Sequence, residues 1–293
     1  MGATPPVCKP STTTPPDYSK QLSRGVPPVE RAPTSLFPFQ SIGPADVTWY
    51  FPIDVGTGFK ATGVFIPQKF NYAEQVDVIL YFHGSKLKEF QTINDYWGGN
   101  VEHITLRQDL NDSGRSAILI APTLKEDPGY SNDQLGNFAN PGFGLTFLDE
   151  VMDWLGKYEP RYALNCVKPR VRNVVLSGHS GGGNAIHHQL ESMKTKVCEV
   201  WNFDVVYGEV SDWVSFAYYN PTKRLTFYWA VQSPGARKQL IELKDITNLG
   251  MLQMGLARTI DNLEIFQGAA HHFPCLTDNF VKQARRSRCL GSR

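Results

Sequence analysis

Val171-Arg-Asn-Val-Val-Leu-Ser-Gly-His-Ser-Gly-Gly-Gly-Asn184 is the stretch on which the reading turns. An apolar run with the pattern of a strand buried on both faces enters Gly178-His179-Ser180-Gly181-Gly182, and a helical segment follows over 184–193. The order strand, G-x-S-x-G, helix has a mechanical meaning. A sharp strand-to-helix turn forces the serine into a strained backbone conformation that lifts its Oγ clear of the sheet, and only glycine at the flanking positions avoids steric conflict. The same turn aims the Gly181 N–H and the positive end of the helix at a reacting carbonyl, where negative charge develops. The pentapeptide alone turns up by chance in roughly one chain of this length in ten, so its placement between strand and helix is what gives it weight. A phosphate-binding loop would read G-x-x-x-x-G-K-[ST], and here no lysine occurs until Lys194.

Working outward, near-continuous apolar runs recur at Val76–Phe82, Ala117–Ala121, Val171–Leu176, Val197–Phe203, Leu225–Val231 and Leu263–Phe266. Segments of helical character separate them: Val101–Leu110, Leu145–Tyr158, Asn184–Met193, Ala236–Leu243 with Leu249–Thr259, and Leu276–Arg286. In Leu145–Tyr158, Leu145, Leu148, Val151, Met152 and Leu155 fall on one side. Val47–Val55 and Ala61–Ile66 form an expected antiparallel lead-in. The alternation predicts an α/β fold in a single domain, a mostly parallel central sheet with helices on both faces. Residues 1–45, rich in Pro, Thr and Ser, are expected to be an arm lying on the domain or without order of their own, and residues 46–293 the catalytic domain.

Composition excludes several function classes. Lys and Arg number 29 against 28 Asp and Glu, so a net charge of +1 offers no attraction for nucleic acid. The basic cluster Arg285, Arg286 and Arg288 reads as a helix end. No run approaches the roughly 18 apolar residues of a membrane span, and Met1–Pro10 holds no apolar signal core. The compartment stays open: cytoplasmic, or exported with a leader removed. The 5 cysteines show no metal-ligand spacing. Cys275 and Cys289 are expected either to pair or to remain free thiols. Asn111-Asp112-Ser113 is a formal glycosylation sequon. With no dinucleotide fingerprint and no metal motif, neither a cofactor nor a metal is expected.

From about Val76 to about Ala284, the order of these parts resembles the α/β-hydrolase superfamily. Val78-Ile-Leu-Tyr-Phe-His83-Gly84-Ser85 is similar to that superfamily's strand ending in His-Gly, which implies an oxyanion hole made by the backbone N–H groups of Ser85 and Gly181. The resemblance implies a serine hydrolase with Ser180 as nucleophile and a histidine base after the last strand, where only His271 and His272 stand. His272-Phe-Pro is similar to the Gly-His-Phe-Pro ending of many relatives, so His272 is the preferred base and His271 the alternative. Most relatives carry the acid after the strand that here is Leu225–Val231, but Gln232-Ser-Pro-Gly-Ala-Arg-Lys-Gln-Leu holds no carboxylate. Some members place it one strand earlier, which here implies Asp204, with Glu209 and Asp212 as fallbacks.

Two further stretches are read as surroundings of the site. Tyr207–Trp229, dense in aromatics, is expected to divide between core and pocket wall, with Tyr218 and Tyr219 the preferred pocket members. Asp127–Gly144 is expected to emerge beside the elbow as a substrate loop. The implied substrate is a small-molecule or polymeric ester or amide, cleaved through an acyl-enzyme. An acyltransferase with the same triad, or a non-catalytic binding protein on the same fold, are the competing functions.

Overall fold

The computed structural model describes residues 31–32, 46–53, 55–56, 61–85, 93–97, 104–125, 128, 131–205, 207–232, 241 and 260–292. Apart from Ile241, the expected helices over 236–243 and 249–259 lie outside the described residues, as do 1–45 apart from Arg31–Ala32.

The strands are β1 (Arg31–Ala32), β2 (Val47–Pro52), β3 (Ala61–Ile66), β4 (Gln75–Phe82), β5 (Arg115–Pro122), β6 (Arg170–His179), β7 (Val197–Phe203), β8 (Arg224–Ala230), β9 (Leu263–Ala269) and β10 (Gly291–Ser292), of which β4 to β9 correspond to the apolar runs. They pair in the order β1-β2-β3-β5-β4-β6-β7-β8-β9. From β5 to β9 every pairing is parallel, while β1, β2 and β3 make the antiparallel lead-in. β10 pairs with Arg115 and Ser116 at the start of β5, below the residues that β3 reaches. The chain runs from β4 to β5 and then returns to β6 on the other side of β4, so the winding reverses at β4 and β6. In an open parallel sheet, that reversal opens a crevice at the strand ends.

Both faces are covered. One carries Phe143–Tyr158 (α4), Gly182–Leu190 (α6) and Val210–Tyr219 (α7), packed through Leu148, Val151, Leu155, Ile186, Trp213 and Val214 against Val78, Leu80, Val174 and Leu176. The other carries Ile93–Trp97 (α1), Leu106–Ser113 (α2), His272–Thr277 (α8) and Phe280–Arg286 (α9), packed on Ile79, Tyr81, Val175, Trp201 and Phe203. Also present are the short helices Asn132–Leu135 (α3) and Pro160–Ala163 (α5), with a 3-10 turn over Gly136–Ala139 following α3. Val78, Ile79 and Leu80 of β4 are fully buried. Each such aliphatic removes enough apolar surface from water to contribute roughly 1.5–3 kcal/mol.

Several expectations need correction. Within Tyr207–Trp229, Val210–Tyr219 is a helix with Trp213 in the core, and Tyr219, preferred for the pocket, is 76% exposed. The expected helix over Leu276–Arg286 is two helices, because the Asn279 side chain donates to the carbonyls of Gly268 and Cys275 at the break. The cysteine pairing is also different: Cys198 is bonded to Cys289, and Cys275 is a buried free thiol. The sequon is structural. Asn111 donates to Asp46 through Nδ2 and accepts the Gln68 N–H through Oδ1, so both ends of its amide are used.

Candidate active site

The elbow follows β6. Ser180 has φ 51°, a left-handed conformation that a side chain rarely adopts. Its N–H donates to the Phe203 carbonyl at 3.1 Å, and its carbonyl accepts the Gly183 N–H at 3.0 Å, so the turn is fastened to β7 on one side and to α6 on the other. A Cβ at Gly182 would lie 2.1 Å from the Phe82 carbonyl oxygen. Glycine at that position is therefore what lets α6 start directly against the end of β4. Gly181 is the residue that caps α6.

Asp204 follows β7 and adopts the same unusual backbone, φ 53°. Its N–H donates to the Tyr228 carbonyl at 2.7 Å, and its Oδ1 accepts the Ala230 N–H at 2.9 Å. Its other oxygen, Oδ2, faces His272: Nδ1 of that ring lies 2.5 Å away. An ionised carboxylate only accepts, so Nδ1–H donates. Asp204 is 4% exposed and the His272 side chain 35%, so the pair runs from the interior toward the surface. Cys275, one turn further along α8, is held as a neutral thiol: burial pushes its pKa up, and the neighbouring charge of Asp204 adds to this.

The structure thus brings together Asp204 and His272. The alternative base His271 is the exposed residue capping α8. The fallback acids lie elsewhere: Glu209 is the exposed cap of α7, and Asp212 pairs with His187 at 2.9 Å. Gly84 and Ser85 follow β4, and the glycine is pressed against the elbow: a Cβ on Gly84 would come 2.8 Å from the Ser180 Cβ.

The Asp127–Gly144 stretch is in part a brace of the elbow helix. Asn184 of α6 donates to the Pro128 carbonyl at 3.2 Å. The fully buried Gln189 donates to the carbonyls of Phe138 and Asn140 and accepts the Gly144 N–H at 2.9 Å. Tyr219, expected in the pocket, instead lines a groove of about 540 Å³ between α6 and α7 together with His187, Lys194 and Asp212. None of Ser180, Asp204 and His272 lines that groove.

Sequence reasoning assigned Tyr96 and His179 no role in the site and named His83 only within the His-Gly motif. The Tyr96 hydroxyl lies 2.9 Å from His179 Nδ1, and the ring of His179 lies 4.3 Å from that of His272, centroid to centroid, tilted by 37°. Burial pushes the Tyr96 phenol up to about 12, against the opposing pull of the Gly84 N–H. No metal-binding group of His, Cys, Asp and Glu occurs among the described residues, and no described helix is long and apolar enough to cross a membrane.

No family model and no curated protein matches the sequence. Solved structures do match. A mutant of the feruloyl esterase module from Clostridium thermocellum, complexed with sinapinate, aligns with a TM-score of 0.51 at 12% identity, covering 86% of this chain and 92% of that one. A protein designated FAE aligns with a TM-score of 0.52 at 12% identity, over 88% of this chain and 92% of its own. An S-formylglutathione hydrolase from Agrobacterium tumefaciens reaches 0.49 at 11% identity, over 85% and 98%. Identities this low speak to architecture alone. With the strand order, the reversal at β4 and β6 and the helices on both faces, the chain has the α/β-hydrolase fold.

Proposed function

We propose that the protein is a serine hydrolase that cleaves a carboxylic ester through an acyl-enzyme on Ser180. The observation that carries this reading is the Asp204–His272 hydrogen bond, held at the same sheet edge as a serine in a left-handed turn. In this mechanism the Ser180 Oγ attacks the ester carbonyl while its proton passes to His272 Nε2. The tetrahedral oxyanion accepts hydrogen bonds from the N–H groups of Ser85 and Gly181. Collapse breaks the bond to the alcohol, which leaves with the proton from His272. Water, deprotonated by the same nitrogen, then attacks the acyl-enzyme, and Ser180 recovers its proton as the acid departs. Asp204 holds His272 in the productive tautomer and stabilises the imidazolium. That a feruloyl esterase module shares the fold makes aryl and hydroxycinnamoyl esters sensible first substrates.

The test is hydrolysis of p-nitrophenyl and hydroxycinnamoyl esters by wild type, Ser180→Ala, His272→Ala and His271→Ala. The expected result is loss of at least roughly 10⁴-fold in kcat for the first two variants, with activity within a few-fold of wild type for the third. Turnover that survives Ser180→Ala would refute the reading, and loss in His271→Ala with retention in His272→Ala would move the base by one residue.

A further inference from the structure

Beyond the triad, a chain of buried hydrogen bonds runs from the loop after β4 to the backbone of His272. His83 is fully buried. Its Nε2 lies 2.8 Å from the Leu124 amide nitrogen and its Nδ1 lies 2.7 Å from the Gly84 carbonyl oxygen. The amide can only donate and the carbonyl only accept, so His83 is neutral with its hydrogen on Nδ1. This bond has a directional consequence. The Gly84 carbonyl and the Ser85 N–H belong to one planar trans peptide unit and point in opposite directions. Fixing the carbonyl therefore fixes where the Ser85 N–H aims.

The other side of Gly84 is held as well. Its N–H donates to the Tyr96 hydroxyl oxygen at 3.2 Å. His179, also fully buried, has Nε2 3.2 Å from the His272 carbonyl oxygen, so Nε2 carries the hydrogen and Nδ1 accepts from the Tyr96 hydroxyl at 2.9 Å. Each polar atom in the series has one consistent role: Gly84 N–H to Tyr96, Tyr96 O–H to His179, His179 N–H to the His272 carbonyl. Steric contact reinforces it, since a Cβ on Gly84 would also lie 2.9 Å from the His179 carbonyl oxygen.

We infer that His83, Tyr96 and His179 are positioning residues that set the Ser85 N–H and the His272 ring in one register across the elbow. This rests on the serine-hydrolase reading above. The two arms of the site come from elements far apart in the chain, β4 and the β9–α8 connection, and Ser180 lies between them. A donor displaced from where the oxyanion forms weakens transition-state binding while leaving ground-state binding almost untouched. Tyr96 and His179 touch neither the reacting carbonyl nor the Oγ in this mechanism, and they act through the groups that do.

The experiment compares wild type with Tyr96→Phe, His179→Gln and His179→Leu. Tyr96→Phe keeps the ring and removes only the hydroxyl. His179→Gln keeps an N–H donor for the His272 carbonyl, and His179→Leu keeps none. Tyr96→Phe is expected to lower kcat about 10- to 100-fold with KM changed little, and to weaken a boronic acid inhibitor, which forms the tetrahedral adduct, by a similar factor. His179→Leu is expected to lose more than His179→Gln. A second readout needs no turnover. The far-downfield proton resonance of the His272–Asp204 hydrogen bond should shift or broaden in His179→Leu, while circular dichroism remains native.

Variants that keep the wild-type kcat, boronate affinity and downfield resonance would overturn the inference, even where Ser180→Ala abolishes activity and the hydrolase reading stands. Absence of any Ser180-dependent activity in wild type would sink the hydrolase reading. An unmoved resonance in His179→Leu would then separately refute the positioning role.

Discussion

At the starts of the parallel strands, Arg172 grips Asp77 through Nε and Nη2 at 2.8 and 2.6 Å, Arg224 grips Glu264 at 2.6 Å, and the Cys198–Cys289 disulfide fastens the chain after α9 to β7. At the strand ends, Ser180 and Asp204 carry left-handed backbones, and the side chains of His83, Asp204 and His179 are each held by hydrogen bonds at both polar ends. The first edge accumulates redundant clamps. Asp77 alone accepts from Arg172, Asn173 and the Gly291 N–H. The Arg115 guanidinium donates to the carbonyls of Ala284, Arg285 and Leu290, and Glu199 accepts from the Trp201 indole and the Arg288 N–H. The second edge spends stability on strain and on buried polar groups. The difference teaches that the sheet separates the work: the strand starts hold the C-terminal segment, and that rigidity lets the strand ends keep costly geometry.

The contrast is most exposed to failure at Asp204. Asp204→Asn keeps an oxygen for the Ala230 N–H but cannot hold His272 in the same tautomer, so kcat is expected to fall roughly 10³- to 10⁴-fold, with a melting temperature near that of wild type. Steady-state kinetics beside calorimetry check both halves. A smaller effect, of the opposite kind, is expected at the other edge. Arg172→Ala leaves the buried Asp77 carboxylate with the Asn173 amide and the Gly291 N–H but without the half-exposed guanidinium, and should cost about 1–2 kcal/mol in urea unfolding, with kcat per folded molecule unchanged. If Arg172→Ala instead lowered kcat without lowering stability, the two edges would not be separable.

How much of this is legible in the sequence follows from which constraints are local. β4, β6 and β7 show as apolar runs because both faces of a parallel sheet are covered, and Val197–Phe203 is found at its exact bounds. Ser180 shows because its turn needs glycine on either side. Asp204 is a candidate only through the resemblance, because Gln232–Leu240 after the next strand holds no carboxylate. α7 escaped because Trp213, Phe216, Tyr218 and Tyr219 surround it with aromatics, hiding the spacing of its buried residues Val210, Trp213, Val214 and Ala217. The Cys198–Cys289 bond spans 91 residues, and the Tyr96–His179 bond spans 83, so neither leaves a trace in local pattern.

Two further effects sharpen the contrast. Replacing Cys198 and Cys289 together by serine should cost about 2–4 kcal/mol while the site stays intact, checked by unfolding and by ester turnover on the same sample. Ser180→Gly should do the reverse. Relieving the left-handed backbone at φ 51° is expected to stabilise the fold by about 1 kcal/mol while abolishing turnover, which a thermal melt with an activity assay would read. A destabilised Ser180→Gly would mean that the strand ends carry no strain.

The central claim, that Ser180 is a nucleophile activated by His272, is tested most directly by reacting the folded protein with a fluorophosphonate and mapping the adduct by peptide mass spectrometry. The account predicts one adduct per chain, on Ser180, formed at least roughly a hundredfold more slowly in His272→Ala. An adduct on another residue, no adduct on folded protein, or labelling at the same rate without His272 would contradict it.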